Sequence, residues 1–254
     1  MNITVIGSGK VGTALSLALK QKGHAIHEIY SRNKKTAAAL AKKVKAKSIS
    51  NLNNISADSD LYIICVNDQH IADIADSFPF KHKPVVHTSG ATPMSVLKKF
   101  KSHGVFYPLN SVSSTSFSFT GTPICISASN LQLEKTLKPL AKDLGGKTML
   151  LTDQQRMALH LSAVFANNFS NALFQAAFEI LKKVDIPFHV LFPLIDQTIA
   201  NIKSHQPSTV QTGPASRDDK ATMAKHLKQL KNNRDLKIVY KLLSELIKKQ
   251  QGSK

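Results

Sequence analysis

The first twelve residues constrain the fold of this chain more than any other stretch. A short apolar segment, Ile3–Ile6, runs directly into three glycines spaced G-x-G-x-x-G, and an apolar-periodic segment follows from Val11 to Leu19. Apolar strand, glycine-rich turn and helix, in that order, form the fingerprint of a dinucleotide-binding βαβ unit. The glycine spacing alone would be weak evidence, but here the segments on both sides fit the motif.

Each glycine of this turn has a separate physical role. Gly7 permits the tight turn, Gly9 lets a pyrophosphate approach the backbone because it has no Cβ, and Gly12 lets the helix pack closely on the strand. Free N–H groups and the helix dipole favour a phosphate at the helix start. The turn therefore predicts cofactor-binding residues at Gly7, Ser8, Gly9, Lys10, Val11 and Gly12.

Strand-like and helical segments alternate from the N-terminus to about residue 151, which predicts a parallel sheet with helices on both faces. Thr152 and Gln155 then have the spacing of a helix-start capping box, and only helical segments follow. The predicted fold class is therefore α/β, with a doubly wound Rossmann-type sheet followed by an all-helical C-terminal domain. We place the domains at residues 1–152 and 153–254 of the 254-residue chain.

Charge and cysteine content bear on partners and location. The 34 Lys and Arg residues outnumber 16 Asp and Glu, giving a net charge of +18. No nucleic-acid-binding motif accompanies this charge, so solvated faces are favoured over nucleic-acid binding. We expect no membrane span, no targeting peptide and no metal site, and the two cysteines, Cys65 and Cys125, fit buried thiols in a reducing compartment. The expected location is the cytoplasm.

The end of the second predicted strand indicates which dinucleotide binds. An NAD site usually has a carboxylate there for the ribose hydroxyls, whereas this chain has Ser31, Arg32 and Asn33. Arg32 would pair with a 2′-phosphate, and its neighbours could add neutral hydrogen bonds. The sequence therefore favours NADP. The alternative is that Arg32 is an ordinary surface residue and that Glu28, inside the strand, serves the ribose.

Polar residues follow three later strands. In open α/β sheets, ligands bind outside the carboxyl ends of the strands, so we expect these ends to line the ribose and nicotinamide, although ordinary loop polarity could explain any one of them. The candidates are Val66 and Asn67, Thr88 and Ser89, and, on the substrate side, Pro108.

The first helix of the second predicted domain carries His160, Asn167 and Asn171, spaced so that they share one helix face. A histidine there could transfer a proton near neutral pH. We predict catalytic roles for His160, Asn167 and Asn168, with a buried or interfacial polar network as the alternative. Arg217, after a Gly-Pro turn, could bind an anionic substrate or could simply lie in a helix-capping loop.

These motifs together resemble the pyrroline-5-carboxylate reductase and 6-phosphogluconate dehydrogenase superfamily. Within it, the chain is most similar to two-domain proteins provisionally labelled NADP oxidoreductases, whose helical domain has no known function. The matching segments are His87–Gly90, Gly121–Pro123, His160–Asn168 and Thr212–Asp218. The resemblance implies a homodimer formed through the helical domain. One position departs from it: the family tends to have His-Pro-Leu where this chain has Tyr107-Pro108-Leu109.

The resulting hypothesis is an NADP-dependent oxidoreductase that reduces a small carbonyl or imine substrate, with His160 as the proton donor. One alternative is a non-catalytic protein that binds NADP and signals through partners. A second alternative is a basic nucleic-acid-binding protein that reuses the fold.

Overall fold

A computed structural model describes residues 1–111 and 117–252 of the chain. The strands are β1 (Asn2–Ile6), β2 (Ala25–Tyr30), β3 (Lys47–Ile49), β4 (Leu61–Ile64), β5 (Val85–His87), β6 (His103–Pro108), β7 (Pro123–Ala128) and β8 (Lys147–Leu150). The helices are α1 (Lys10–Gln21), α2 (Lys34–Val44), α3 (Ile71–Ser77), α4 (Leu131–Asp143), α5 (Asp153–Ala163), α6 (Ser170–Lys182), α7 (Phe192–Ser204), α8 (Lys220–Gln229) and α9 (Arg234–Gly252).

All eight strands form one sheet in the order β3-β2-β1-β4-β5-β6-β7-β8. Its first six strands follow the order of a doubly wound dinucleotide-binding sheet, which confirms the predicted fold class. The predicted parallel sheet contains one antiparallel pair, because β7 runs antiparallel to β6. Parallel neighbours need a crossover, usually a helix, and the described residues between β6 and β7 contain none.

Side-chain alternation along the strands builds a core on each face of the sheet. Ile3 and Val5 pack into one apolar cluster with residues of α1, α2 and α4, whereas Ile6 packs into the other with residues of α3. Strand β4 is buried throughout, as expected for a strand covered on both faces. Cys65 and Cys125 are both buried and unpaired with each other, which confirms their prediction as buried thiols.

The chain divides into two compact units, Met1–Asn167 and Asn168–Lys254. The sequence placed the boundary at 152/153, where the strands end, but α5 belongs by its contacts to the first unit. The capping box at its start is present: the Thr152 hydroxyl accepts from the Gln155 N–H, and the Gln155 side chain accepts from the Thr152 N–H. A π-helical segment, Val164–Phe169, follows α5 and leads into α6.

The second unit consists of helices and short turns over its described residues. Asp219 caps α8 by accepting a hydrogen bond from the Thr222 N–H. Within residues 1–111 and 117–252, we find no helix with both the length and the apolar character that crossing a membrane requires.

Candidate functional site

A cleft of about 830 Å³ lies in the first unit at the carboxyl ends of β1, β2 and β4. Seven of the predicted cofactor-binding residues line it, namely Gly7, Ser8, Gly9, Ser31, Arg32, Val66 and Asn67. Sequence reasoning missed several others, among them Tyr30, Lys34, Asn51, Asn53, His70 and Asp73. Lys34 could have been found, because it lies two residues after Arg32 and adds a second cation beside it.

The three glycines have the geometry expected of their roles. Gly7 has φ +122°, and a Cβ there would lie 2.2 Å from the Cys65 carbonyl oxygen. A Cβ on Gly12 would lie 2.1 Å from the Gly7 carbonyl oxygen. Gly9 differs, because a Cβ there would meet no atom within 4 Å. The fold therefore requires Gly7 and Gly12, whereas the bare backbone at Gly9 leaves open space for a ligand.

Helix α1 begins directly at this space. Gly9 is its N-cap residue and supplies no side chain to the first N–H groups of the helix. Those groups have no partner within the helix, so they and the helix dipole can bind a phosphate. Lys10, Val11 and Gly12 form this first turn and are not among the residues that line the cleft.

The segment after β2 presents cations rather than carboxylates. Arg32 and Lys34 are exposed and line the cleft, and Ser31 is half-buried beside them. The Asn33 side-chain oxygen caps α2 by accepting from the N–H groups of Lys35 and Thr36, and Asn33 is not among the residues that line the cleft. Among the described lining residues one carboxylate, Asp73, is present, on α3, 3.6 Å from the Nδ1 atom of His70.

Glu28 cannot serve a ribose in this structure. Its side chain is fully buried inside β2, where it accepts a hydrogen bond of 2.9 Å from the Ser56 N–H. The Lys47 Nζ atom lies 3.9 Å from its other carboxylate oxygen. This position argues against the alternative in which Glu28 replaces a carboxylate at the strand end.

The ends of β4 and β5 contribute differently. Val66 and Asn67 line the cleft. Thr88 is half-buried, with its hydroxyl 3.4 Å from the Ile64 carbonyl oxygen, and Ser89 is buried, with its hydroxyl accepting from the N–H groups of Ala91 and Thr92. Thr88 and Ser89 therefore fix the turn after β5 and lie outside the described cleft lining.

Tyr107 and His160 contact each other beside Gly90, in the turn after β5. The Tyr107 Oη atom lies 3.0 Å from the Nδ1 atom of His160, and the two rings make an edge-to-face contact at 5.8 Å. A Cβ on Gly90 would lie 2.6 Å from that Nδ1 atom and 2.8 Å from the Tyr107 ring. Burial, with the nearby Cys125 and Asp68 acting in the same direction, raises the pKa of Tyr107 to about 12.

An ion pair on α5, with a buried arginine and a partly exposed aspartate, holds the same turn. Arg156 is fully buried, pairs with Asp153 and donates to the Thr92 carbonyl oxygen. Asp153 in turn accepts a 2.8 Å hydrogen bond from the Met94 N–H. No sequence pattern indicates this arrangement, because the partners are 59 and 64 residues apart.

His87 lies beneath the turn and is also buried. Its Nδ1 atom accepts a hydrogen bond of 3.2 Å from the Ser89 N–H. Burial, and then the positive charge of Arg156, lowers the pKa of His87 to about 4. The ring is therefore neutral at physiological pH and acts as a structural acceptor.

The remaining predicted residues are not brought to one place. Asn167 and Asn168 are exposed and lie in the π-helical segment, so the 3.6-residue period that placed His160, Asn167 and Asn171 on one face does not hold. Pro108 is buried at the end of β6, and Arg217 is exposed in the second unit. Among the described residues there is no group of three or more His, Cys, Asp or Glu side chains that could hold a metal ion.

Two family models match the chain. Residues 2–90 match a model described as "NADP oxidoreductase coenzyme F420-dependent". Residues 122–247 match a model described as a "Domain of unknown function (DUF2520)". The second match begins at β7, so it includes the last strands of the sheet as well as the helical unit. No curated protein matches the chain in sequence.

Solved structures extend the comparison over the whole chain. A Bacteroides fragilis protein, provisionally described as an NADP oxidoreductase, is 35% identical, with 98% of each chain covered and a TM-score of 0.88. An imine reductase from Myxococcus stipitatus in complex with NADP⁺ is 17% identical, with 100% of this chain and 95% of that chain covered and a TM-score of 0.70. A 1-pyrroline-5-carboxylate reductase from Streptococcus pyogenes is 16% identical, with 98% of each chain covered and a TM-score of 0.63. The last two share the fold, while the first is close enough in sequence to show the family. The chain belongs to the family of two-domain NADP oxidoreductases in which a Rossmann-type domain precedes a helical domain of unknown function.

Proposed function

We propose that this protein is an NADPH-dependent reductase of small carbonyl or imine compounds. The observation that carries the proposal is the cleft itself, in which a bare-backbone helix start at Gly9 and the cations Arg32 and Lys34 face one space. When bound there, NADPH supplies the hydride. The names of two solved structures with the same fold, an imine reductase and a pyrroline-5-carboxylate reductase, suggest the substrate class.

The cations after β2 give the cleft its preference for a phosphorylated ribose. The planar guanidinium of Arg32 matches a phosphate with parallel N–H donors, and Lys34 adds a second positive charge. Glu28, the carboxylate that an unphosphorylated ribose could have used, faces the protein interior. We assign the 2′-phosphate to Arg32 and Lys34 and the pyrophosphate to the start of α1.

His160 is the proposed proton donor. Its ring lies against Gly90, in the turn that follows β5, and the carboxyl ends of strands are where ligands bind in such sheets. Thr88 and Ser89, in the same turn, are proposed to shape the nicotinamide end of the site. Substrate roles for Pro108 and Arg217 and catalytic roles for Asn167 and Asn168 remain proposals from the sequence.

The cofactor assignment is tested by titrating the protein with NADPH and NADH. We expect Arg32→Ala to weaken NADPH binding by roughly 10- to 100-fold, the loss of one or two charge-assisted hydrogen bonds, and to leave NADH binding unchanged. Arg234→Ala is the matched control, because Arg234 is an exposed arginine at the start of α9. Equal affinity of the wild-type protein for the two cofactors would contradict the assignment.

Turnover is tested with a panel of aldehydes, ketones and cyclic imines, followed by NADPH oxidation. Coenzyme F420 belongs in the panel because the name of one matched family model includes it. Oxidation of NADPH with an imine or carbonyl compound, lost in His160→Ala, supports the proposal. Tight NADPH binding without turnover on the whole panel would favour the non-catalytic alternative.

We also propose that a second copy of the chain covers the helical unit, giving a homodimer. Among the described residues of that unit, Ala215 is the buried hydrophobic one. Large apolar side chains are exposed on three of its helices, and exposed apolar patches of this kind mark interaction sites. Examples are Phe174, Phe178, Leu194, Ile199, Leu242 and Leu246.

The dimer is tested by sedimentation equilibrium. We expect a dimeric wild-type protein and a shift towards monomer in Leu242→Glu, which places a charge on the apolar face of α9. Leu131→Glu is the control, because Leu131 is equally apolar and exposed but lies on α4 in the first unit. A monomeric wild-type protein would overturn the dimer proposal.

A further inference from the structure

We infer that Tyr107 is a positioning residue for His160: its hydroxyl donates to the Nδ1 atom of His160 and so fixes the tautomer whose proton is on Nε2. The inference rests on the proposed function in one respect only, the role of His160 as the proton donor. The hydrogen bond and its direction are properties of this chain alone and can be measured without a substrate.

The direction of the hydrogen bond follows from the chemistry of the two groups. The Oη–Nδ1 distance is 3.0 Å, which is a normal hydrogen bond. A neutral imidazole has one nitrogen that donates and one that accepts, and a phenol hydroxyl can donate. The phenol oxygen is the weaker acceptor of the pair because its lone pair is delocalised into the ring. The Tyr107 O–H therefore donates and the imidazole nitrogen accepts.

Burial keeps the Tyr107 hydroxyl in the form that can donate. Burial raises the pKa of Tyr107 to about 12, so the phenol carries its proton throughout the physiological range. In register, Tyr107 pairs with the buried Cys125 on β7, and the neighbouring Asp68 acts in the same direction as burial on its pKa. These surroundings hold the phenol in place and neutral.

Packing around the pair leaves the two rings little freedom. The Tyr107 ring meets the His160 ring edge to face at an interplanar angle of 74°, and the absence of a Cβ at Gly90 makes room for both. His160 remains half-buried, so part of its ring faces solvent. With Nδ1 accepting from Tyr107, Nε2 is the nitrogen that carries the proton and donates it to the substrate. As that proton leaves, the proton of the Tyr107 hydroxyl passes to Nδ1, so the imidazole stays neutral, and the phenolate that remains takes a proton from solvent.

The arrangement gives a physical reason for a tyrosine at position 107. A second imidazole at this position could either donate to His160 or accept from it near neutral pH. A tyrosine hydroxyl keeps its proton in that range, so it acts as the donor and sets the tautomer of His160 without competing for its proton. A positioned partner of this kind raises the efficiency of an acid because it removes the wrong tautomer from the population.

The test is ¹⁵N nuclear magnetic resonance of the 254-residue chain labelled at its ten histidines, at a pH where the His160 ring is neutral. The signals of His160 are assigned by their loss in His160→Gln. We expect the wild-type ring to carry its proton on Nε2 and the Tyr107→Phe ring to show a mixture of tautomers. Tyr107→Phe keeps the ring that packs against Gly90, and its melting temperature and NADPH affinity are measured alongside.

The chain offers a matched control in a second tyrosine–histidine pair. In the helical unit, the Tyr240 Oη atom lies 2.9 Å from the Nδ1 atom of His226, with the rings 5.7 Å apart. Tyr240→Phe should change the His226 signals and leave those of His160 unchanged. A wild-type His160 with its proton on Nδ1, or a tautomer unaffected by Tyr107→Phe, would overturn the inference.

Kinetics separate this inference from the proposed function. With a substrate from the imine and carbonyl panel, Tyr107→Phe should lower kcat by about tenfold or more, within the range of general acid catalysis, at an unchanged KM for NADPH. An unchanged kcat would overturn the positioning role. If the wild-type protein turns over nothing, the proposed function fails, while the tautomer measurement still decides where the His160 proton lies.

Discussion

The buried guanidinium of Arg156 donates to the main-chain carbonyl oxygen of Thr92, 64 residues earlier in the chain. Through Asp153, the same ion pair also binds the Met94 N–H. Helix α5 thereby holds the turn after β5 at two points. This turn carries Thr88, Ser89 and Gly90, so the shape of the proposed nicotinamide end depends on a residue that lies outside it.

Removing this guanidinium should destabilise the protein measurably. Arg156→Met leaves the Thr92 carbonyl without its partner and Asp153 without its cation, and Asp153 stays partly solvated. We expect a loss of roughly 2–3 kcal/mol in the free energy of unfolding, measured by urea denaturation. Arg234→Met, which changes an exposed arginine, is the control. Equal stability of Arg156→Met and the wild-type protein would contradict the proposal that Arg156 and Asp153 hold the turn after β5.

Gly9 and Gly12 should respond differently to the same substitution. A Cβ on Gly12 would lie 2.1 Å from the Gly7 carbonyl oxygen, so Gly12→Ala forces a backbone shift and should cost about 1–3 kcal/mol in stability. A Cβ on Gly9 meets no atom within 4 Å, so the midpoint of urea denaturation should be the same for Gly9→Ala as for the wild-type protein. Its methyl group would instead occupy the space of the pyrophosphate and weaken NADPH binding. A Gly9→Ala variant with unchanged NADPH affinity would argue against a pyrophosphate at this turn.

The pKa of His87 predicts how stability depends on pH. Burial, followed by the charge of Arg156, lowers this pKa from 6.5 to about 4 in the folded protein. The unfolded state therefore binds more protons between these values, and the contribution of His87 to stability, complete above about pH 6.5, is lost as the pH falls towards 4. The full loss is roughly 3 kcal/mol.

Urea denaturation at several pH values between 7.5 and 4 measures this dependence. In His87→Gln the slope over the window should be smaller than in the wild-type protein. His82→Gln is the control, because His82 is exposed, and its slope should match the wild type. Parallel curves for wild type and His87→Gln would show that His87 titrates normally in the folded state.

The two cysteines should be unreactive in the folded protein. Burial raises the pKa of Cys65 to about 12 and that of Cys125 to about 11. Because the thiolate is the reactive form, a disulfide reagent at pH 8 should modify neither thiol at an appreciable rate. Both thiols should react once the protein is denatured. Rapid modification of either one under native conditions would mean that its strand opens readily.

The sequence predicted most of the fold because its signals are local. The helical segment predicted from Val11 to Leu19 lies within α1, and the capping box at Thr152 is present. The reversal of β7 was missed because alternating segments predict parallel strands by default. The π-helical segment was missed because apolar periodicity assumes a constant rotation per residue, which six residues of π-helix break.

In the candidate site, too, the residues with a local sequence signal were predicted and the long-range contacts were not. Gly7, Gly9 and Arg32 were found because their roles depend on a motif and its spacing, and they line the cleft. The pairing of Tyr107 with His160 was not found, because 53 residues separate them and only the packing at Gly90 brings them together. Asn33 is a polar residue of a type that can bind a ligand, and it caps a helix. The sequence does not distinguish a capping asparagine from one that binds a ligand.

The buried carboxylate of Glu28 limits how the cofactor preference of this cleft could be altered. It is fully buried and contacts Ser56 and Lys47, and none of these three residues is among those that line the cleft. A variant designed to use the unphosphorylated dinucleotide would need a new acid at Ser31 or Arg32. Such a variant would carry two carboxylates on one short strand and its end, and only the new one would meet the ligand.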